Sequence, residues 1–252
     1  MKSLRSLLIT TSINKIGDTE NETGVWLEDL AAPYYILKDG GEFITIASPK
    51  GSDIPLDPNC ETTQACTDDT KRFQADAQAM YHFSHSMPLS SIKAADYDLV
   101  FVVGGYGAMW DFDNNPVLNA LLKDFYLQNK PIGLVGHAVV ALATLTINSE
   151  ELLIKNMKLT AFSNSEEASI GLNEKPPFLL ETKLIVCGAL YEKVADFKSH
   201  VVIDGSIVTG QNPASAGDAA IQTLTMARMQ AKENNTEMLL NEWVYPLSNL
   251  EI

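Results

Sequence analysis

The sequence predicts an α/β fold in which helices cover both faces of a mostly parallel sheet. Short apolar runs rich in β-branched residues alternate with stretches whose apolar residues recur at helical spacing, as βαβ units require. Most of these runs are apolar throughout, which is typical of strands buried on both faces. The most informative run, residues 131–142, reads PIGLVGHAVVAL and passes from a buried strand directly into a glycine turn and a helix.

The elements follow one another along the chain without an internal repeat. Residues 48–69 are rich in Pro and Asp, show no period and are too long for a plain connector. We therefore predict that residues 48–91 form a lid or an inserted small cap. One domain is predicted over residues 1–232, followed by a tail over residues 233–252. The predicted strands are 7–10, 43–47, 98–103, 132–135 and 158–162, and residues 201–204 and 206–209 form a predicted hairpin. The predicted helices are 25–37 (interrupted near Pro33), 116–127, 137–145, 179–187 and 213–230.

Composition excludes several classes of function. The 252 residues carry a formal net charge of −14, whereas binding to a nucleic-acid backbone or an anionic membrane requires a basic face. The three cysteines form no even framework, which predicts free thiols in a reducing compartment. No apolar run approaches the roughly 18 residues of a membrane span, and the N-terminus lacks a signal-type apolar segment. These observations predict a cytoplasmic protein.

No pattern in the chain calls for a cofactor or a metal. A GxGxxG fingerprint opening a helix after the first strand is missing. His82 and His85, with acidic residues upstream, have no spacing that fixes a metal geometry, and we interpret them as surface residues. We therefore predict a protein without a cofactor or a bound metal.

The turn at Gly136 is the most informative position for function. A strand–turn–helix of this kind raises one side chain above the carboxyl edge of a sheet, facing the free N–H groups of the helix. That residue is typically a Ser or Cys nucleophile, and glycine has no side chain to react. Glycine also enters the strained conformation of such a turn without steric cost. The next residue, His137, remains as a candidate base.

A second glycine turn follows the predicted strand at 98–103. Gly104, Gly105 and Tyr106 stand where backbone N–H groups can point at an oxyanion or a bound carboxylate. The alternative is that the glycines only permit the turn. Together with Ala138 in the elbow, these residues are the predicted ligand-binding set, because two strand ends that feed glycine turns form a crevice at the carboxyl edge.

Several segments carry a resemblance to a known family. They read GVWLEDLAAPYY at 24–35, ASPKG at 47–51, GGYGAMWD at 104–111, TAFSNSEE at 160–167, PFLLE at 177–181 and TGQNPASA at 209–216. In this order the chain resembles the ThiJ/PfpI superfamily, which has a class I glutamine-amidotransferase-like fold, and within it the chaperone/glyoxalase III branch. The resemblance implies a flavodoxin-like sandwich with a nucleophile elbow at Gly136.

The resemblance also implies roles for individual residues. The family cysteine falls on Gly136, while the histidine after it is kept as His137. The acidic residue that contacts the cysteine falls on Asp29. The acid that orients the histidine falls best on Glu167, with Glu166 as a near alternative.

The sequence leaves three hypotheses about the function open. The branch converts methylglyoxal to lactate without a cofactor, through attack of the cysteine thiolate on the aldehyde, and this step needs a nucleophile. Cys60, Cys66 and Cys187 lie outside the motif turns, so we do not expect them to replace it. The first hypothesis is a catalytically silent relative that keeps either a pocket for a small carbonyl compound or a surface that holds unfolded protein. The second is an active glyoxalase III-like, deglycase or hydrolase enzyme that uses His137, Glu167 and Asp29. The third is a homodimeric stress protein that holds unfolded protein clients.

Overall fold

A seven-stranded sheet forms the centre of the molecule. In the computed structural model, residues 3–62, 65–148, 151–172 and 174–244 are described. The strands are β1 (Arg5–Ile9), β2 (Phe43–Ser48), β3 (Met87–Pro88), β4 (Leu99–Val102), β5 (Ile132–Val135), β6 (Lys158–Leu159), β7 (Leu190–Tyr191), β8 (Val201–Asp204) and β9 (Ile207–Gly210). The sheet order is β3-β2-β1-β4-β5-β9-β8, and β6 pairs with β7 in a separate two-stranded sheet.

All pairings in the main sheet are parallel except β8 with β9. Every residue of β4 and β5 is buried, as expected for strands covered on both faces. The antiparallel hairpin about Asp204-Gly205 closes one edge. The predicted flavodoxin-like α/β sandwich is therefore confirmed.

Helices pack on both faces of this sheet. They are α1 (Leu27–Asp39), α2 (Asp68–Ala75), α3 (Ala77–Ser84), α4 (Ala108–Asp111), α5 (Pro116–Leu127), α6 (Asn164–Ser169), α7 (Leu180–Val186) and α8 (Ala216–Val244). One apolar core joins α1 and α8 to the sheet through residues such as Tyr34, Phe101 and Ala220. The other core lies on the opposite face and includes Phe125 of α5 and Leu134 of β5. No helix of the described residues is long and apolar enough to cross a membrane.

Residues 48–91, the predicted cap, contribute α2, α3 and the edge strand β3 in the parts that the structure describes. The Phe73 side chain is fully buried, with its ring 5.3 Å from Tyr34 and 6.0 Å from Phe83 between centroids. A capping box at Thr67 starts α2, and the Asp76 carboxylate caps α3. This part of the segment packs against α1. Its earlier part reaches the start of α1, where the Leu27 N–H donates to the Cys60 thiol at 3.1 Å.

Three local predictions are wrong. Helix α1 continues through Pro33, because proline removes only one helical hydrogen bond and the buried apolar face of the helix holds it together. The helix after β5 is a 3-10 helix, Gly136–Leu142, which we call the elbow helix; its β-branched Val139 and Val140 disfavour an α-helix. Helix α8 runs to Val244, past its predicted end at 230. Residues 245–252 of the predicted tail lie outside the described residues.

Candidate active site at the carboxyl edge of the sheet

Two glycine turns meet at the carboxyl ends of β4 and β5. The two strands are neighbours, with Val102 paired to Leu134, so the chain leaves both at the same edge. A Cβ on Gly104 would lie 2.7 Å from the Val135 carbonyl oxygen, which shows how closely the two turns approach. This is the crevice position at which open α/β sheets bind ligands.

Gly136 has the backbone geometry of an elbow and has room for a side chain. Its φ is +57°, in the left-handed region that costs other residues about 1–2 kcal/mol. A Cβ built there would meet only Asp29 Oδ2, at 3.6 Å, which is an ordinary van der Waals contact. The turn therefore still has the shape that a nucleophile elbow needs.

His137 is held by an acid and by two aromatic rings. Its Nε2 lies 2.9 Å from Glu167 Oε2, and both side chains are buried, with His137 7% and Glu167 4% exposed. The Phe162 ring lies beside the imidazole at 4.5 Å between centroids, and the Tyr106 ring meets it edge-on at 5.1 Å. The imidazole therefore keeps Nδ1 as its second atom for proton transfer.

The two glutamates of α6 have different partners. Glu166 accepts hydrogen bonds from the Ser163 and Phe197 N–H groups and from Asn212 Nδ2. It thereby completes a capping box at the start of α6 and joins this helix to two loops. Glu167, one residue further on, faces His137. Of the two glutamates that the sequence left open, the structure brings Glu167 to the imidazole.

Asp29 is a buried acid directed at the elbow. It lies in the first turn of α1 and is 2% exposed, and its Oδ1 has no hydrogen-bond partner among the described residues. Burial, reinforced by the charge of Glu28, raises the pKa of Asp29 well above its usual range. A protonated Asp29 can donate a hydrogen bond toward Gly136. Gly104 has to be a glycine, because a Cβ there would collide with Asp29 Oδ2.

The predicted ligand-binding residues are spread over both turns. Gly105 has a φ of +123°, and its Cβ would come within 2.5 Å of the Trp26 nitrogen. The Tyr106 hydroxyl donates to the Leu172 carbonyl oxygen at 3.1 Å, and burial together with the nearby Glu167 raises its pKa. The Ala138 side chain is fully buried in the apolar core, so only its backbone is left for the predicted ligand contact.

No cysteine side chain comes within 4 Å of the Cβ position at Gly136. The Cys60 thiol is buried beside α1, where it donates to the Val25 carbonyl oxygen at 3.7 Å, whereas Cys66 is exposed and Cys187 caps the end of α7. His85 stacks on Tyr81 at 4.3 Å between ring centroids. No group of three His, Cys, Asp or Glu side chains that could hold a metal occurs in the part of the chain that the structure describes.

Sequence reasoning missed a polar network at the end of β1. Asp111 accepts hydrogen bonds from the Thr11 hydroxyl at 2.9 Å and the Ser12 N–H at 2.7 Å. It closes the GGYGAMWD segment, so its motif was visible in the sequence although its partners, about 100 residues earlier, were not. Burial outweighs these bonds and raises the pKa of Asp111 to about 6.

We expect Asp111 to make folding stability fall as the pH rises. A raised pKa means that the folded chain holds this proton more tightly than the unfolded chain does. The contribution is therefore complete below about pH 4 and is lost as the pH passes 6, by about 2–3 kcal/mol. Urea unfolding at pH 4 and pH 7 should show this loss in the wild type relative to Asp111→Asn. Parallel pH dependences for the two proteins would contradict the prediction.

Together, an open, mostly parallel sheet and an elbow over its carboxyl edge define an α/β sandwich of the nucleophile-elbow class. The chain belongs to the DJ-1/PfpI family, whose model matches residues 22–226. It is 27% identical over 215 residues to a putative glutathione-independent glyoxalase of Schizosaccharomyces pombe, covering 82% of this chain and 85% of that protein. It is 26% identical over 222 residues to glyoxalase 3 of Candida albicans, covering 84% and 94%.

Solved structures agree with this assignment. The Rapid Encystment Protein of Francisella tularensis superposes with a TM-score of 0.85 at 35% identity, covering 89% of this chain and 99% of that one. Glyoxalase III of Candida albicans, at 24% identity and a TM-score of 0.81, shares the fold over 88% of this chain and 96% of its own. The resemblance to the glyoxalase III-like branch of the ThiJ/PfpI superfamily is therefore confirmed.

Proposed function

We propose that this protein binds a small carbonyl compound at the elbow and does not by itself carry out the cysteine-dependent conversion of methylglyoxal. Gly136 carries the proposal: it keeps the φ of an elbow but has no thiol to attack an aldehyde. The glyoxalase names of the relatives supply the class of ligand, a reactive carbonyl compound.

The polar groups that remain around Gly136 suit the binding of a carbonyl compound. The Asp29 carboxyl, whose pKa is raised by burial, lies next to Gly136, and the His137–Glu167 pair follows in the same turn. The Gly104-Gly105 turn lies so close to Asp29 and Trp26 that no larger residue fits there, so the turn brings its backbone up to this acid. A few polar groups that converge on one turn are what fixes the orientation of a small ligand in a binding site.

Binding can be measured without the aldehyde chemistry by using hydroxyacetone, a small ketone that has no aldehyde group. We expect saturable amide shifts at Gly105, Tyr106 and His137 in nitrogen-15 NMR spectra of the full chain. His137→Ala should weaken this binding at least about tenfold, a loss of about 1.4 kcal/mol. The control is His85→Ala, an exposed histidine on another helix end, which should bind like the wild type. The absence of saturable shifts at the elbow, or equal binding by His137→Ala, would contradict the proposal.

A further inference from the structure

We propose that the carbonyl compound bound at the elbow carries an aromatic group, and that Phe197 is the residue that selects it. Phe197 lies in the loop between β7 and β8, at the outer end of a row of rings that begins at His137. This inference rests on the proposed carbonyl binding at the same site and names the class of ligand more closely, as aryl ketones and aryl aldehydes. It gives Phe197 a role in specificity and none in catalysis.

Aromatic rings lead from the imidazole of the elbow to the protein surface. The Phe162 ring lies 4.5 Å from the His137 ring and 6.3 Å from the Phe197 ring, measured between centroids. Both separations are within the range of about 4.5–7 Å in which aromatic pairs attract each other. Phe162 is 6% exposed, whereas Phe197 is 47% exposed. The outermost ring therefore leaves an aromatic surface open to a ligand, two ring contacts away from the imidazole.

The backbone of Phe197 is strained. Its φ is +59°, in the left-handed region where a bulky side chain is an outlier. Five of the described residues other than glycine have a positive φ, and three of these are asparagines, which tolerate the conformation. Strained residues of other types cluster at ligand-binding sites, where the strain holds a side chain in a required position. A phenylalanine in this conformation therefore points to a function for its ring.

Hydrogen bonds to α6 hold the loop in this strained conformation. The Glu166 carboxylate is fully buried and accepts the Phe197 N–H at 2.8 Å. The neighbouring Asp196 accepts the Ser165 hydroxyl at 2.6 Å. A strained backbone persists only where the surrounding contacts fix it, and these bonds do so from the first turns of one helix. The loop thus presents the Phe197 ring in one place.

The same helix also positions the imidazole. Glu166 and Glu167 are consecutive residues, and the second lies 2.9 Å from His137 Nε2 through its Oε2 atom. The Phe197 backbone and the His137 ring are therefore both attached to α6, through adjacent side chains. A ligand that meets the imidazole with its carbonyl group meets the Phe197 ring at a fixed distance and orientation.

The side chains of Phe162 and Phe197 offer a ligand no polar atom, so the group that they recognise is apolar. A flat aromatic group can lie offset or edge-on against Phe197, and such a contact is favourable beyond the apolar area that it buries. A methyl group has little area to contribute. The alternative is that Phe197 only shields Phe162 from water. A shielding ring would affect all carbonyl ligands equally, whereas a selecting ring affects aryl ligands alone.

The test compares hydroxyacetone with 2-hydroxyacetophenone, which has a phenyl group in place of the methyl group, in nitrogen-15 NMR titrations of the full chain. We expect the aryl ketone to shift the elbow amides together with those of Phe162 and Phe197. Its dissociation constant should be at least about tenfold lower than that of hydroxyacetone. The cyclohexyl analogue, in which the ring is saturated, should bind at least about threefold more weakly than the aryl ketone.

Phe197→Gly removes the ring and keeps the loop, since glycine adopts a φ of +59° without strain and retains the N–H that Glu166 accepts. This variant should bind the two ketones within about threefold of each other, with hydroxyacetone within about twofold of the wild type. Phe197→Tyr keeps the ring and should keep the preference. Phe197→Ala serves in place of Phe197→Gly if that variant does not fold. The control is Phe43→Ala, which removes a 68% exposed ring at the start of β2 and should leave both dissociation constants unchanged.

Each result supports or overturns the inference. Equal binding of the aryl ketone and hydroxyacetone by the wild type, or of the aryl ketone and its cyclohexyl analogue, would overturn it. So would a folded Phe197→Gly variant that keeps the preference or weakens both ketones equally. If hydroxyacetone shifts the elbow amides without any aryl preference, the proposed binding function stands and only this inference is overturned. If neither ketone binds at the elbow, both are overturned.

Discussion

Gly136→Cys is expected to gain thiol-independent consumption of methylglyoxal, at least about 10²-fold above the wild type. The new Cβ would have only the 3.6 Å contact to Asp29 Oδ2 among non-neighbouring residues, which is an ordinary van der Waals contact. The thiol would stand beside the retained His137–Glu167 pair, as a cysteine nucleophile and its base do. Lactate formation in thiol-free buffer, followed by NMR, is the measurement.

Two controls make this gain interpretable. Gly205→Cys adds a thiol at a similar φ but in the β8–β9 hairpin, and it should remain inactive. Gly136→Ser has nearly the same size as Gly136→Cys and should gain little, because a hydroxyl is the weaker nucleophile. Both elbow variants are expected to lose about 1–2 kcal/mol of stability to left-handed strain. A folded Gly136→Cys variant with no gain would mean that the missing thiol is not the only obstacle to the chemistry.

Phe73→Ala is expected to destabilise the protein by about 3–5 kcal/mol. The ring is fully buried and makes edge-on contacts with Tyr34 at 5.3 Å, Tyr35 at 6.4 Å and Phe83 at 6.0 Å. Its loss would leave a cavity between α1 and α2 that large aromatic neighbours cannot easily fill. Urea unfolding monitored by circular dichroism gives the free energy directly.

Phe43→Ala is the matched control for this effect. The Phe43 side chain is 68% exposed, so its removal should change stability by about 0.5 kcal/mol or less. Comparing the two variants separates the loss of stability caused by removing a buried ring from that caused by removing an exposed one. A Phe73→Ala variant within 1 kcal/mol of the wild type would mean that residues 48–91 contribute little to the stability of the α1 face.

The main features of the fold could be predicted because local patterns encode them. Continuous apolar runs indicate parallel strands, and the glycines after residues 103 and 135 mark the ends of β4 and β5. The type of the elbow helix could not be predicted, since apolar periodicity does not distinguish i→i+3 from i→i+4 hydrogen bonds. The predicted interruption of the first helix at Pro33 was wrong because the effect of a proline depends on how firmly the surrounding core holds α1.

At the site, the partners of individual side chains could not be predicted because they are set by contacts between residues far apart in the sequence. Glu166 and Glu167 are neighbours of the same type, and what separates them is Asn212, 46 residues from Glu166, which bonds to Glu166 and leaves Glu167 to His137. The Phe162 ring beside His137 lies within a quoted motif, yet nothing local assigns it to the imidazole. The buried state of Asp29, and therefore its raised pKa, follows from the close approach of the glycine turns after β4 and β5 to the start of α1.

The elbow of the wild-type protein has no nucleophile of its own. Methylglyoxal consumption by the purified wild-type chain, measured in thiol-free buffer beside Gly136→Cys in the same assay, is the decisive measurement. We expect the wild type to stay at the rate of the protein-free control while Gly136→Cys rises above it. Conversion of methylglyoxal to lactate by the wild type at ordinary enzyme rates, about 1 per second or more, would contradict the claim.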